Sequence, residues 1–387
     1  MGERFDLPIT VAGNRLTLLD TGPRRMEALL DLIAGARGTL RMLYYIYADD
    51  RAGAAVRDAL LAAAQRGVAV TLIVDGFGSE KATHDHFFAP LTEAGVTVWS
   101  FEPRWGRRYL LRNHQKLALA DGETGDARAI IGGFNVEDDY FGTIAEQAWR
   151  DLGLLFEGAC AGRITAYFDD LARWTGRPGS TIRHLRHLLA HPAENEGRVQ
   201  WLLGGPSRRL SPWAHALRAA MRRARQIDVI AAYFAPTPTM LRRLDHAGKR
   251  GHRVRVVTAA KMDHQNAVDA ARFTYAGLLR KRVRIFEYQP TKMHTKLYVI
   301  DDTVFIGSAN FDVRSMFLNM EIMLRVEDRD FAAHCRAYVE GEIAQSEEIT
   351  PELYRARTGP WRRVKQAVAY GLIAVVDPSV TKRLNWG

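Results

Sequence analysis

His114-Gln115-Lys116-Leu117-Ala118-Leu119-Ala120-Asp121 and, 180 positions later, His294-Thr295-Lys296-Leu297-Tyr298-Val299-Ile300-Asp301 are two copies of one pattern, His-x-Lys-x4-Asp. Only 9 of the 54 basic residues are lysine, so chance supplies roughly 0.02 matches and two copies mark a duplication. Each copy leads into a glycine-rich tetrad ending in asparagine, Gly132-Gly133-Phe134-Asn135 and Gly307-Ser308-Ala309-Asn310.

The repeat reaches beyond the motifs. Residues 64–72 echo residues 248–256, a helix end closed by glycine and followed by an alternating strand, and residues 95–103 answer residues 282–290. Helical stretches at 26–36, 54–66, 214–225 and 240–248 alternate with apolar strands, which predicts a layered α/β fold. A chain of 387 residues supports two domains with separate cores. The polar segment His191-Pro192-Ala193-Glu194-Asn195-Glu196-Gly197 predicts a boundary between domains 1–195 and 196–387, after a helical excursion at about 160–190. Cys160 and Cys335 are too few for a disulfide framework and read as buried thiols. Residues 1–20 hold no apolar run resembling a signal peptide, so the expectation is a protein on the cytoplasmic side.

Successive side chains of a strand point to opposite faces, so His294 and Lys296 share one face, as do His114 and Lys116. A hairpin after each pair brings Asn135 or Asn310 back beside it. Two imidazoles, two ammonium groups and two carboxamides suit an anionic phosphoryl centre. Lysines and amides hold the non-bridging oxygens, one imidazole attacks phosphorus and the other protonates the leaving oxygen, with no metal or cofactor required. Asp151 and Glu321, at matching places in the repeat, are the candidate carboxylates to set the histidine tautomers. Asp121 and Asp301 fall at the opposite parity, which leaves turn stabilisation and direct chemistry both open. His84 and His86 have the spacing of a ligand pair and read as loop histidines.

With these residues in view, the chain resembles the phospholipase D superfamily, whose signature is this His-x-Lys-x4-Asp with Gly-Ser-x-Asn in duplicate. Gly13-Asn14-Arg15-Leu16, the Gly132-Gly133-Phe134-Asn135 variant and Trp149-Arg150-Asp151 are similar to bacterial cardiolipin synthases of the type without N-terminal membrane spans. Gly133 departs from the family's serine, so the first half lacks the hydroxyl of Ser308, and backbone N–H donation is the expected substitute. The resemblance implies two similar domains, each a mixed sheet flanked by helices, related by pseudo-twofold symmetry. It also implies a two-step phosphatidyl transfer through a phosphohistidine, with His114 as nucleophile and His294 as acid and base, although the residues alone rank neither. The implied substrates are phosphatidylglycerol and a second phospholipid. Water as acceptor makes the same site a hydrolase.

A net charge of +10 and a pI near 9.7 favour an anionic partner. Trp105, Arg107 and Arg108 mix cations with large apolar groups just before the first motif. Trp361, Arg362, Arg363 and Lys365 precede an uncharged stretch at 366–376, with Trp386 beyond it. Eleven residues are too few to span a bilayer as a helix but suit an interfacial element, where each cation near an anionic surface is worth ~1 kcal/mol. The expected location is therefore peripheral, on the cytoplasmic face of the cell membrane. A nucleic-acid phosphodiesterase is the competing class, disfavoured because the aromatics cluster with aliphatic residues and form no base-stacking track. A silent lipid-binding scaffold has no need of two complete motifs.

Overall fold

In a computed structural model of the chain, the described residues are 5–102, 111–177, 180–190, 196–207 and 209–376. Trp105, Arg107, Arg108 and Trp386 lie outside them, as does most of the expected boundary segment, residues 191–195.

The first half forms β1 (Ile9–Val11), β2 (Asn14–Leu19), β3 (Thr39–Tyr44), β4 (Ala69–Asp75), β5 (Thr97–Phe101), β6 (Leu117–Ala120), β7 (Arg128–Gly132) and β8 (Gly153–Glu157). They assemble in the order β1-β2-β8-β7-β6-β3-β4-β5. The second half forms β9 (Val199–Gly204), β10 (Gln226–Ala231), β11 (Phe234–Ala235), β12 (Arg253–Ala259), β13 (Arg284–Tyr288), β14 (Lys296–Ile300), β15 (Thr303–Gly307), β16 (Phe311–Asp312), β17 (Glu321–Glu327) and β18 (Ser346–Glu348). Its eight-stranded sheet runs β9-β17-β15-β14-β10-β12-β13-β18, and β11 pairs with β16 in a short parallel ribbon. Strand for strand, β2-β8-β7-β6-β3-β4-β5 and β9-β17-β15-β14-β10-β12-β13 are one topology, so the sequence repeat is a fold repeat.

Local chemistry explains the matched elements. β3 pairs parallel with β4, and β10 with β12, so each pair needs a crossover, which the helices Arg51–Gln65 and Pro238–Lys249 supply. Asp50 caps the first by accepting from the Gly53 amide at 2.8 Å, and Thr237 caps the second through the Met240 amide. Both helices end at a left-handed glycine, Gly67 at φ 89° and Gly251 at φ 77°, a conformation that costs other residues steric strain.

Strand alternation splits the core. Leu117 and Leu119 of β6, with Leu297 and Val299 of β14, fill a core shared by the two sheets. The intervening Ala118 and Ala120 pack under the first half's helices, and Tyr298 and Ile300 under the second's. Helices Thr165–Gly176 and Arg329–Ala344, each following the matching strand β8 or β17, add Phe168, Leu171, Phe331 and Tyr338 to the shared core, where Cys160 and Cys335 are also buried. Each fully buried leucine there contributes about 1.5–3 kcal/mol, which holds the halves together. Among the described residues no helix is long and apolar enough to cross a membrane.

Candidate active site

The two motifs enter the shared core side by side. His114 and Lys116 lie on the approach to β6, Lys116 directly before the strand, whereas His294 lies two residues before β14 and Lys296 is that strand's first residue. The alternation expected of a strand still holds there. Gln115 turns the other way and donates to Tyr167 Oη at 2.7 Å, and Thr295 Oγ1 lies 3.4 Å from Tyr338 Oη. Both hairpins form, β6 with β7 and β14 with β15. Asp121 (φ 53°) and Asp301 (φ 47°) sit at their turns. Asp121 accepts from the Arg37, Gly38 and Thr39 amides and Asp301 from those of Arg225 and Gln226, so both carboxylates tie a turn to the neighbouring strand.

The approach segments are stitched to the opposite half. The His114 amide donates to Met320 O at 2.9 Å and Met320 donates back to Arg112 O, while His294 donates to Arg150 O at 2.7 Å and Arg150 donates to Lys292 O. These reciprocal bridges bring each histidine to the carboxylate of the other half. His114 Nδ1 is 3.1 Å from Glu321 Oε2, and His294 Nδ1 is 2.7 Å from Asp151 Oδ2. Ser308 and Ser315 donate to Glu321 at 2.5 and 2.7 Å, and the Leu152 amide donates to Asp151 at 2.7 Å. Buried Arg25 grips the Tyr140 and Asp151 carbonyls, fixing the segment that presents Asp151.

The glycine at 133 follows from this pairing. A β-carbon there would lie 2.6 Å from Asp151 Oδ1, because the shorter aspartate holds its carboxylate over the tetrad backbone. Glu321, one methylene longer, leaves room for Ser308. Where the Ser308 hydroxyl donates to Glu321, the first half has the backbone N–H of Leu152 donating to Asp151, while the Gly133 amide is directed at Leu152 O, 3.5 Å away.

Lys116 Nζ donates to His114 O at 2.7 Å, and Lys296 Nζ donates to His294 O. Lys296 Nζ also lies 2.8 Å from His294 Nδ1. That ring nitrogen has one proton to give, and the carboxylate only accepts, so Nδ1–H donates to Asp151 and the lysine is served by the carbonyl. The tautomer so fixed leaves Nε2 with its lone pair. Burial, reinforced by Lys116, pushes His114 down to about 4, with Glu321 opposing. Burial and Lys296 push His294 down to about 3, with Asp151 opposing. Burial alone would raise Asp151, but Lys296 and His294 outweigh it and hold the carboxyl below its usual range. Burial lowers Lys296 to about 8 and also depresses Lys116. Near neutrality the cleft therefore holds two neutral imidazoles, each a base, beside two buried amines.

Asn135 accepts from the Ile46 amide at 3.2 Å and donates to Tyr140 Oη at 3.1 Å. Asn310 is buried, its side-chain oxygen without a hydrogen-bond partner among the described residues. Aromatic rings wall the site, with Tyr45 5.2 Å from His114, and Tyr140, Trp149 and Tyr233 at 5.3, 5.4 and 6.4 Å from His294. Tyr45, Tyr140 and Tyr233 were not singled out in the sequence. Tyr45 directly follows β3 and Tyr233 comes two residues after β10, strand-end positions that could have flagged them. Among the described residues no three His, Cys, Asp or Glu side chains are grouped to hold a metal ion. His84 and His86 are exposed, away from this constellation.

At the chain's other expected functional region, Trp361, Arg362 and Arg363 are exposed on the helix Pro360–Gly371. Lys365 is exposed as well, with its ammonium paired to Asp269 at 2.9 Å. The stretch 366–376 gives one face to the protein, with Gln366 and Ala369 buried.

A family model described as cardiolipin synthase, phospholipase D-like domain, matches residues 29–170 and again 216–343. Cardiolipin synthase A of Pseudomonas aeruginosa is 31% identical over 355 residues, which cover 89% of this chain and 70% of that protein. Cardiolipin synthase B of Shigella flexneri is 29% identical over 367 residues, 92% of this chain and 87% of that one. The crystal structure of phosphatidylserine synthase from Haemophilus influenzae shares the fold with a TM-score of 0.74, over 96% of this chain and 94% of that chain at 13% identity. Two matches of one family model, on the two halves that supply the crossed histidines, leave one assignment: the chain belongs to the phospholipase D-like family of cardiolipin synthases.

Proposed function

We propose that the chain is a phosphatidyltransferase that makes cardiolipin, using phosphatidylglycerol as acceptor and a second phospholipid as donor. The observation that carries this reading is the crossed pair of histidine–carboxylate contacts between two lysines. His114 takes the role of nucleophile that the resemblance gives it. Its Nε2 attacks the donor phosphorus, the bond from phosphorus to the headgroup oxygen breaks, and that oxygen takes a proton from His294. The phosphodiester brings a negative charge between Lys116 and Lys296, which favours the imidazolium that this step requires at His294. In the second step neutral His294 takes a proton from a phosphatidylglycerol hydroxyl, the oxygen attacks phosphorus and the P–N bond breaks. With phosphatidylglycerol as donor too, the products are one cardiolipin and one glycerol. In this scheme the lysines and Asn310 stabilise charge on the non-bridging oxygens. The working surface is the cytoplasmic face of an anionic membrane, without nucleic acid as a partner.

Incubating the protein with phosphatidylglycerol vesicles and analysing the lipids by mass spectrometry tests the reading. Cardiolipin and glycerol in equal amounts are expected, at a rate that a chelator leaves unchanged. Phosphatidic acid as the sole product makes the chain a hydrolase, and strict dependence on a divalent cation removes the metal-free scheme. A pH profile adds a second check. Lys296 is cationic below about 8 and neutral above it, so kcat/KM on a soluble short-chain substrate falls as pH rises past 8. A flat profile up to pH 10 would remove Lys296 from phosphate binding.

A further inference from the structure

The helix Pro360–Gly371 and the wider π-helical turn Leu372–Val376 that continues it present an apolar stripe that the described residues leave uncovered. Their inner face packs on the protein. Ala369 packs with Ala235 and Ala270, Tyr370 Oη donates to Pro236 O at 2.7 Å, and Lys365 pairs with Asp269. On the outer face Trp361 is 86% exposed, and Val364, Val368 and Leu372 are each more than half exposed. Steps of three, four and four residues put these side chains on one line along the helix. The described residues expose eight large apolar side chains in all, and four of them are on this line. Phe273, a fifth, on the neighbouring helix Gln265–Leu279, has its ring 5.0 Å from that of Tyr370 in a tilted contact. Single exposed hydrophobes are ordinary, whereas a contiguous line of them marks a contact surface.

The charge beside the line identifies the partner. The helix carries Arg362, Arg363 and Lys365 and no acidic residue; Lys365 pairs with Asp269, and the two arginines follow Trp361 at one end. An indole and two guanidinium groups at the start of an aliphatic line match a bilayer interface, with anionic headgroups outside and acyl chains just below. The helix is also anchored at the catalytic cleft. Ala235 and Pro236 follow Tyr233, whose ring lies 6.4 Å from His294, and the π-helical turn packs near the helix Val313–Phe317 that carries Ser315, a donor to Glu321.

We propose that this stripe lies in the interface of an anionic bilayer with the helix parallel to the surface, docking the elements that carry Tyr233 and Ser315 against the lipid. The purpose of the docking rests on the phosphatidyltransferase reading; the docking itself does not. The test floats the full chain with phosphatidylcholine vesicles made with and without phosphatidylglycerol. Replacing Trp361, Val364, Val368 and Leu372 together by serine weakens binding to anionic vesicles by at least about tenfold. Arg362→Glu with Arg363→Glu weakens it by a similar factor, and wild-type binding weakens as salt rises. Lipids brominated on their acyl chains quench a fraction of the wild-type tryptophan fluorescence that is missing in Trp361→Phe. If the fourfold variant does not fold, as judged by its thermal unfolding, Trp361→Glu alone carries the comparison.

Undiminished vesicle binding by a folded stripe variant overturns the proposal. So does a wild-type dimer that the variant dissociates, which makes the stripe an interface between copies. Covering by residues 377–387 is a third alternative, diagnosed if deleting them raises vesicle binding from a negligible level. Stripe-dependent binding without any lipid product leaves the docking intact and removes the transferase reading. Lipid products with stripe-independent binding do the reverse.

Discussion

Alanine at His114 or at His294 lowers phospholipid turnover by roughly 10^4-fold or more, the scale seen when a nucleophile or its acid–base partner is removed. The two losses differ in kind. A phosphodiester with a p-nitrophenolate leaving group needs no proton to depart, so His294→Ala still forms the covalent adduct and releases about one equivalent of nitrophenolate in a burst. It then stalls, because nothing activates the acceptor hydroxyl. His114→Ala gives no burst. Quenching at alkaline pH traps the phosphoryl label on His114 as an acid-labile, base-stable phosphoramidate. Label on His294 exchanges the two roles, and inversion of configuration at phosphorus in the overall reaction removes the covalent step. The expectation is large because each imidazole is oriented by its own carboxylate and serves a different part of the transfer.

The second large effect concerns the carboxylates. Asp151→Asn and Glu321→Gln each lower kcat by about 10^2 to 10^4-fold, because an amide in place of the acceptor leaves the imidazole in the wrong tautomer and no longer stabilises its cation. The informative part is the phenotype. Asp151 contacts His294 and Glu321 contacts His114, so Asp151→Asn retains the burst and Glu321→Gln loses it. If Asp151→Asn instead behaves like His114→Ala, the contacts act within each half and the crossed arrangement is not the working one. This comparison stands whichever histidine is the nucleophile, because it asks only which carboxylate variant copies which histidine variant. Adding Asp151→Asn to His294→Ala also costs little further activity, as expected for partners in one unit.

The duplication was legible because it is written twice in the chain. Alternating faces, a glycine after each crossover helix and an aspartate at each hairpin are local rules, and the seven shared strands obey them. Asp121 and Asp301 could not be settled from parity alone. Their role became plain with the amides of residues 37–39 and 225–226, which come from a different strand connection. The crossed pairs were out of reach for the same reason at greater distance, since they join residues 207 and 143 positions apart and position in the repeat offers no choice between partners. The substitution of glycine for serine at 133 looked like a lost donor. It reads as a steric consequence only once Asp151 is seen to occupy the space. At the C-terminal helix, composition suggested an interfacial element but could not divide its faces, because the burial of Gln366 and Ala369 depends on residues distant in the sequence.

Reciprocal stitching of the halves also sets when this protein becomes able to act. On the ribosome, His114, Lys116 and Asn135 are made long before Glu321, which follows His114 by 207 residues. At 5–20 residues per second that interval is on the order of ten seconds or more. Throughout it the first imidazole has no carboxylate to orient it, and the Met320 carbonyl that holds its backbone does not yet exist. A growing chain thus carries a complete motif that is chemically idle. Severing or prising apart the two sheets of the finished protein disarms both histidines together, where two self-contained halves would each keep their own.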